Sequence, residues 1–257
     1  MKKTFMLLMA MVMVVMMAAG CGGGEKKKAE APKVLRVATE PTFAPFEFQK
    51  DGSKEFDGFD MDLIRAIGKQ LNMKVEILNM GFDALIPALN AGNIDVAAAG
   101  MSITPDRQKA VDMSDPYYVA GLVVVVNKDN TAVKGINELN NKGIAVQIGT
   151  TGAERAAKVP GAKVKNFNTN AEVFLELKNK GVEAVIIDKP VAEYFLATGG
   201  GKDYAKIVGD TMEAESYGLS LKKNSPLTKE INKALLDLKK NGEYDKIYAK
   251  WFGAVKK

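Results

Sequence analysis

The 257-residue chain has no histidine, one cysteine and one tryptophan. Without histidine, it has no histidine-based catalytic triad and no histidine metal site. The single cysteine, Cys21, excludes internal disulfides and the thiolate clusters that bind zinc. These absences exclude much enzyme chemistry, and we expect neither a cofactor nor a metal ion.

A strong excess of one charge sign is also missing. The chain has 36 Lys and Arg residues against 31 Asp and Glu residues, and its formal net charge is +5 at pH 7. This excess is too mild and too dispersed to indicate a nucleic-acid partner. The hydrophobic fraction of 47% is enough for a full globular core in one or two lobes.

The first 20 residues have the pattern of a secretory signal peptide. Lys2 and Lys3 precede an unbroken apolar run over residues 5–19, which is short for a membrane span. The run ends in Ala-Ala-Gly-Cys, which resembles a lipobox, in which the cysteine receives diacylglycerol and becomes the mature N-terminus. Ala18 replaces the larger aliphatic residue that is usual there. We expect Cys21 to be lipidated; the alternative is a free thiol beside an ordinary signal-peptidase site.

Residues 21–32 have the composition of a tether. After Cys21 they read GGGEKKKAEAP, which contains no residue able to anchor a core. No second apolar run is long enough to span a bilayer. We therefore expect an exported domain in the periplasm or on the outer face of the cell membrane, held there by the lipid on Cys21.

Apolar, β-rich runs alternate with helical patterns along the rest of the chain. Two helices are predicted over residues 60–71 and 170–179, and a C-terminal helical segment begins after Ser225-Pro226 and breaks at Asn241-Gly242. This alternation indicates an α/β fold with mostly parallel sheets. The clearest strands are residues 34–39, 75–78, 95–99, 122–126, 144–148, 163–167 and 184–187.

The segment over residues 98–107, AAGMSITPDR, predicts a strand that ends at a helix N-terminus. Thr104 is an N-cap residue, Pro105 fits the first helical position, and Arg107 falls in the first turn. The free N–H groups of the helix N-terminus and the guanidinium of Arg107 then lie close together. We therefore expect this site to bind an anion. The alternative is an ordinary junction with a solvated arginine.

Two further strand ends carry candidate ligand contacts. Gln147 to Gly152, QIGTTG, predicts a second strand-to-helix turn that Thr150 or Thr151 caps, although a mere tight turn is the alternative. Asp188 follows an apolar strand and precedes Lys-Pro, which is also the pattern of an N-cap.

Eight segments resemble, in order, those of the polar amino-acid-binding proteins of bacterial ABC importers, family 3 of the extracellular solute-binding proteins. The resemblance runs from about Lys33 to Gly253 and is close to the glutamine-binding and the lysine/arginine/ornithine-binding branches. The segments are ATEPTFAPFEF (38–48), GFDMDL (58–63), GFDALIPALNAGNID (81–95), MSITPDR (101–107), DPYYVAG (115–121), AVQIGTTG (145–152), IIDKP (186–190) and KWFG (250–253).

This resemblance implies a two-lobed, type II periplasmic-binding-protein fold of the Venus-flytrap kind. Two crossing strands near residues 117–121 and 213–217 would join the lobes. Lobe one would comprise residues 33–118 plus 216–257, and lobe two residues 119–215. The carboxyl ends of the strands of both lobes would face one cleft.

The resemblance also implies a role for each contact residue. Arg107, Ser102, the Gly100 N–H and Thr151 would bind the carboxylate of an amino acid, and Asp188 with Gly100 would bind its ammonium. Phe43 and Phe82, which by default belong to the core, would stack on the ligand side chain. Glu40, otherwise a surface acid before a proline, and Gln147 would contact the end of that side chain.

Charge balance then favours a basic ligand. The α-carboxylate neutralises Arg107 and the α-ammonium neutralises Asp188, which leaves Glu40 unpartnered unless the ligand side chain is cationic. The glutamine-binding branch carries a lysine in place of Gln147, and two rings with an acid suit the guanidinium of arginine. Glutamine or another polar amino acid remains the alternative if Glu40 is protonated.

The leading interpretation is a monomeric binding lipoprotein that delivers its ligand to an ABC permease and ATPase and performs no chemistry. The rival is an enzyme resembling cyclohexadienyl dehydratase on the same scaffold, with Glu40 as its general acid. Such an enzyme has no use for the paired Arg107 and Asp188.

Overall fold

The computed structural model describes residues 33–50, 52–198 and 200–253. The expected signal peptide, Cys21 and the tether lie outside the described residues. Among the described residues, no helix is long and apolar enough to cross a bilayer.

The strands are numbered in chain order. They are β1 (Lys33–Thr39), β2 (Thr42–Phe43), β3 (Glu47–Gln49), β4 (Phe56–Asp57), β5 (Met73–Asn79), β6 (Val96–Ala97), β7 (Val111–Met113), β8 (Tyr118–Asn127), β9 (Gly143–Gln147), β10 (Lys163–Phe167), β11 (Ala184–Asp188), β12 (Ala205–Val208), β13 (Ala214–Tyr217) and β14 (Ser220–Lys222).

The helices are numbered in the same way. The α-helices are α1 (Phe59–Gln70), α2 (Leu85–Ala91), α3 (Pro105–Ala110), α4 (Thr151–Ala157), α5 (Asn170–Lys178), α6 (Lys189–Thr198), α7 (Leu227–Lys240) and α8 (Glu243–Phe252). Short 3₁₀ turns cover Phe82–Ala84, Ile136–Leu139 and Gly201–Asp203.

The strands form two larger sheets and a small antiparallel one. The first sheet has the order β5-β1-β6-β14-β7, and the second has the order β10-β9-β11-β8-β12 with β13 paired to β8. The small sheet is β2-β3-β4. The first sheet uses strands from both ends of the domain, because β14 inserts between β6 and β7.

The α/β class is confirmed, but both sheets are mixed rather than mostly parallel. Strands that a helix separates pair in parallel, as β1 does with β5 and β9 does with β10 and β11. In contrast, β8, β12 and β14 run antiparallel to their neighbours. β8 follows β7 through a loop and β14 follows the crossing strand β13, so that neither strand has the crossover connection that parallel pairing needs. β12 does follow a helix, but its neighbour in the sheet is β8, which runs the opposite way.

One strand pair joins the two large sheets. The first four residues of β8 pair with β13 in antiparallel register, Tyr118 opposite Tyr217 and Gly121 opposite Ala214. From Leu122 onward, β8 belongs to the second sheet. These two segments lie where the crossing strands were expected, while the lobe limits at residues 118/119 and 215/216 stay a prediction.

Local sequence signals placed most of the elements that were predicted from sequence within two residues of their limits. The strand over residues 163–167 has the predicted limits, and the C-terminal helical segment breaks at Gly242, whose φ is +80°. The strand predicted over residues 95–99 is shorter, Val96–Ala97. Asp95 and Ala98 still donate to β1 carbonyls, but β14 pairs only with the two central residues.

Candidate functional site

All nine residues expected to contact a ligand line one cavity. Most of them follow the carboxyl ends of strands: Glu40 comes directly after β1, and Gln147 and Asp188 end β9 and β11. Open α/β sheets bind ligands at such strand ends. The lining residues are Glu40, Phe43, Glu47, Phe82, Ala99, Gly100, Ser102, Arg107, Gln147, Thr150, Thr151 and Asp188.

The guanidinium of Arg107 lies between the two large sheets. The predicted helix start is confirmed, because Thr104 caps α3 by accepting from the Arg107 backbone N–H, and Pro105 is the first helical residue. Arg107 Nη1 donates to Ser102 O at 2.9 Å and Nη2 to Gly149 O at 2.9 Å. Its Cζ lies 5.4 Å from the ring centre of Phe82. Burial lowers the pKa of Arg107, while nearby carboxylates oppose this shift.

The second strand-to-helix turn also has the predicted cap. Thr150 Oγ1 accepts from the Ala153 N–H at the start of α4 and donates to Gln147 O at 2.8 Å. Gly149 precedes this cap with a φ of +77°, and its carbonyl accepts the Arg107 guanidinium. The turn therefore contributes a fixed acceptor to the cavity as well as a helix start.

Asp188 is a buried acid at the end of β11. Its Oδ1 accepts from the Tyr217 hydroxyl at 2.6 Å. Burial raises the pKa of Asp188 to about 7, and the hydrogen bond from Tyr217 opposes that shift. A cation at this carboxylate would restore the charged form, which suits the expected contact with an ammonium.

Glu40 is only 4% exposed and has no charged partner. Its Oε2 accepts from Thr42 Oγ1 at 2.7 Å and from Gln147 Nε2 at 2.8 Å. Both donors are neutral, and among the residues that the structure describes no ion pair includes Glu40. Burial raises the pKa of this carboxyl, and the two hydrogen bonds oppose the shift.

Gln147 is held in a single orientation. Its Nε2 also donates to Asn168 O at 2.9 Å, and its Oε1 accepts from Asn170 Nδ2 at 2.9 Å. All three side-chain hydrogen bonds of Gln147 are to protein groups, and one of them links it to Glu40 across the cavity.

Gly100 has a different use from the one expected. Its N–H, which we expected to face a ligand carboxylate, donates to Asp60 Oδ2 at 2.9 Å. Its φ is +50°, and a Cβ atom there would lie 2.6 Å from Phe43 Cε1. Glycine is therefore required by both the backbone conformation and the adjacent ring.

The two candidate stacking rings are core residues that also line the cavity. Phe43 is 8% exposed and Phe82 9% exposed. Nearby, Phe46 is fully buried and Phe48 is half-buried, with its ring centre 5.7 Å from that of Trp251.

Four further residues of the site have no local signal in the sequence. Glu47 lines the cavity, and burial beside Asp60 raises the pKa of Glu47 well above its ordinary range. Asp60 Oδ2 also accepts from Tyr117, and burial raises the pKa of Asp60 to about 7. The other two are Tyr217, described above, and Glu215, whose Oε2 accepts from the hydroxyls of Ser102 and Thr151.

A sequence model of the bacterial extracellular solute-binding proteins, family 3, matches residues 35–254. A probable histidine-binding protein of Neisseria gonorrhoeae is 35% identical over 224 residues, which cover 86% of this chain and 83% of that protein.

Two solved structures are similar over 87% of this chain and 100% of theirs, at 46% identity. They are an ancestral arginine-binding protein bound to arginine, with a TM-score of 0.83, and an ancestral arginine-binding protein bound to glutamine, with a TM-score of 0.80. The expected two-lobed type II fold is thereby confirmed.

The raised pKa of Asp188 makes stability depend on pH. The folded protein keeps a proton up to about pH 7 that the unfolded chain, with an Asp pKa of 3.8, releases near pH 4. This group therefore lowers the free energy of unfolding as pH rises from 4 to 7. We predict that Asp188→Asn, which keeps an acceptor for Tyr217, is more stable than the ligand-free wild type at pH 8 by about 2 kcal/mol and similar at pH 4.

Urea unfolding at both pH values measures this difference. Asp106→Asn is the matched control, because Asp106 is exposed and pairs with Lys109. Equal pH slopes for wild type and Asp188→Asn would contradict the prediction.

Proposed function

The chain belongs to the bacterial extracellular solute-binding proteins of family 3, and from this premise we propose that it captures an α-amino acid, with arginine favoured, and delivers it to an ABC permease and ATPase. The observation that carries this proposal is the convergence of Arg107 and Asp188 on one small cavity. The ligands named for the similar proteins, histidine, arginine and glutamine, agree with an amino acid.

Arg107 and Asp188 together match the two charged groups of an α-amino acid. A guanidinium has five N–H donors, and protein carbonyls occupy two of those of Arg107. Three donors remain for a carboxylate, which favours the paired geometry of arginine and carboxylate. Asp188 has one oxygen bound to Tyr217 and keeps acceptor capacity for an ammonium.

The charge of the cavity favours a ligand with a net positive charge. Three of the residues that line the cavity are acids, and Arg107 is the only basic residue in that lining. With Asp188 facing an ammonium, Glu40 is left without a charged partner, because its hydrogen bonds come from the neutral Thr42 and Gln147. A guanidinium beside Glu40, between the Phe43 and Phe82 rings, balances that charge without an unpaired buried ion.

Glutamine is the alternative that the same site permits. Burial raises the pKa of Glu40, and a protonated Glu40 could donate to an amide oxygen. Competing ligands must therefore be measured side by side. Turnover of prephenate would instead favour the dehydratase alternative.

Several hydrogen bonds link the two sides of the cavity. Gln147 donates to Glu40, Arg107 reaches Gly149, and the Asn170 N–H donates to Thr42 Oγ1 at 3.0 Å. A ligand that contacts both sides would add to these links and shift the population towards a closed form. We propose that the permease recognises the closed form, and that the lipid on Cys21 keeps the protein beside it.

The carboxylate contact is tested by Arg107→Ala. We expect the loss of a charged contact to weaken the binding of every amino-acid ligand by about 2 to 5 kcal/mol. Calorimetry with arginine, lysine, histidine and glutamine measures the loss. Arg65→Ala is the control, because Arg65 is exposed and outside the cavity. Unchanged affinity in a folded Arg107→Ala variant would refute the assignment.

The side-chain contact is tested by Glu40→Gln. Arginine should lose a charge-assisted pair worth roughly 1.5 to 3 kcal/mol, whereas glutamine can rebuild a hydrogen bond to the new amide. The contacts to Arg107 and Asp188 are common to both ligands and cancel in the difference. Affinities of both ligands are measured at one pH and one salt concentration.

Glu55→Gln is the control for the change in charge, because Glu55 lies on an exposed turn. Equal losses of affinity for arginine and glutamine would show that Glu40 does not distinguish ligands by the charge of their side chains. If the wild-type protein binds glutamine more tightly than arginine, the proposal of arginine as the favoured ligand is wrong, whereas the proposal of amino-acid binding still holds.

The lipid anchor is tested separately by Cys21→Ser. We expect the variant to leave the membrane fraction, because it has no thiol to receive the lipid. Membrane and soluble fractions of cells are compared by immunoblot. A normally processed variant that stays with the membranes would show that the lipobox interpretation is wrong.

A further inference from the structure

Glu215 holds the two hydroxyl groups that line the carboxylate end of the cavity. Its Oε2 accepts from Ser102 Oγ at 2.6 Å and from Thr151 Oγ1 at 2.7 Å. Ser102 follows β6 of the first sheet, Thr151 begins α4 beside the second sheet, and Glu215 lies on the joining strand β13. One oxygen of the joining segment therefore binds donors from both sides of the cavity.

This arrangement consumes the donor capacity of both hydroxyls. A serine or threonine hydroxyl has a single proton, and here each proton points to Glu215. Towards the cavity, the two oxygens then present only lone pairs. A ligand carboxylate needs donors, so it cannot bind both hydroxyls while Glu215 keeps them.

We propose that Glu215 is an internal competitor of the ligand's carboxylate. In the ligand-free protein it occupies Ser102 and Thr151 as a stand-in carboxylate, and it yields them when an amino acid binds. This inference rests on the proposed function, because it takes the two hydroxyls as contacts of the ligand's carboxylate. Glu215 itself lies outside the cavity lining and acts through these hydroxyls as a positioning residue.

The competition sets how strongly the site distinguishes an amino acid from the amine that lacks its carboxylate. Displacing Glu215 costs two charge-assisted hydrogen bonds, and the displaced carboxylate stays near the incoming one, which it repels. A ligand without a carboxylate does not displace Glu215. Its binding therefore breaks neither hydrogen bond and brings no second carboxylate close to Glu215.

The first test compares arginine with agmatine, its decarboxylated analogue, in wild type and Glu215→Gln by calorimetry. We expect the ratio of arginine affinity to agmatine affinity to rise about fivefold or more in Glu215→Gln, because a neutral amide competes less well than a carboxylate. Glu213→Gln is the matched control: it is exposed, makes the same change in charge two residues away, and does not contact the hydroxyls.

An unchanged or lower ratio in Glu215→Gln would overturn the inference. An equal rise in Glu213→Gln would also overturn it, because the effect would then come from charge alone rather than from the contact.

The second test needs no ligand. Urea unfolding of wild type, Glu215→Ala, Thr151→Val and the double variant forms a thermodynamic cycle on the Glu215 contact. We expect the double variant to lose less stability than the sum of the two single losses. Additive losses would show that the contact is absent from the ligand-free protein and would overturn the inference.

The two tests also separate this inference from the proposed function. If no amino acid binds the wild type while the cycle shows coupling, the contact between Glu215 and Thr151 exists but the proposed function is wrong. The proposed competition between Glu215 and a ligand carboxylate is then wrong as well. If amino acids bind normally and the affinity ratio does not change, only the role of Glu215 fails.

Discussion

The burial of the Arg107 guanidinium is the constraint on which the cavity depends. A buried cation is costly unless hydrogen bonds and opposite charges compensate it. The compensating carbonyls of Ser102 and Gly149 come from opposite sides of the cavity, and the Phe82 ring covers one face of the guanidinium. The position of Arg107 is therefore coupled to the spacing of the two strand-to-helix turns.

Glu40 and Asp188, two acids of the cavity, have no cationic partner among the residues that the structure describes. Glu40 accepts only neutral donors, and Asp188 accepts from a tyrosine hydroxyl. Burial raises the pKa of both groups, which means that their charged forms are poorly compensated without a ligand. A cationic ligand removes that deficit, so part of its binding energy comes from relieving an existing cost.

The element pattern and most of the cavity lining could be predicted from sequence because both follow from short-range rules. Period-2 and period-3.6 hydrophobicity identify strands and helices, and polar residues just after apolar strands gather at one edge of a sheet. Glu40, Gln147 and Asp188 were identifiable in this way, with the family resemblance supplying their roles. The antiparallel direction of β8 and β14 was missed because neither strand follows a helix crossover.

What the sequence determined by itself is local. Thr104 caps α3 and Thr150 caps α4 because each hydroxyl meets an N–H only three residues ahead, a contact that any chain with this order of residues can form. Tertiary structure alone decided the long-range contacts. The Gly100 N–H meets Asp60 from 40 residues away, and Glu215 meets Ser102 from 113 residues away. Such pairs depend on how α1, the segment after β6, and β13 come together in space, and no local rule encodes the distance between groups that only the packed elements bring together.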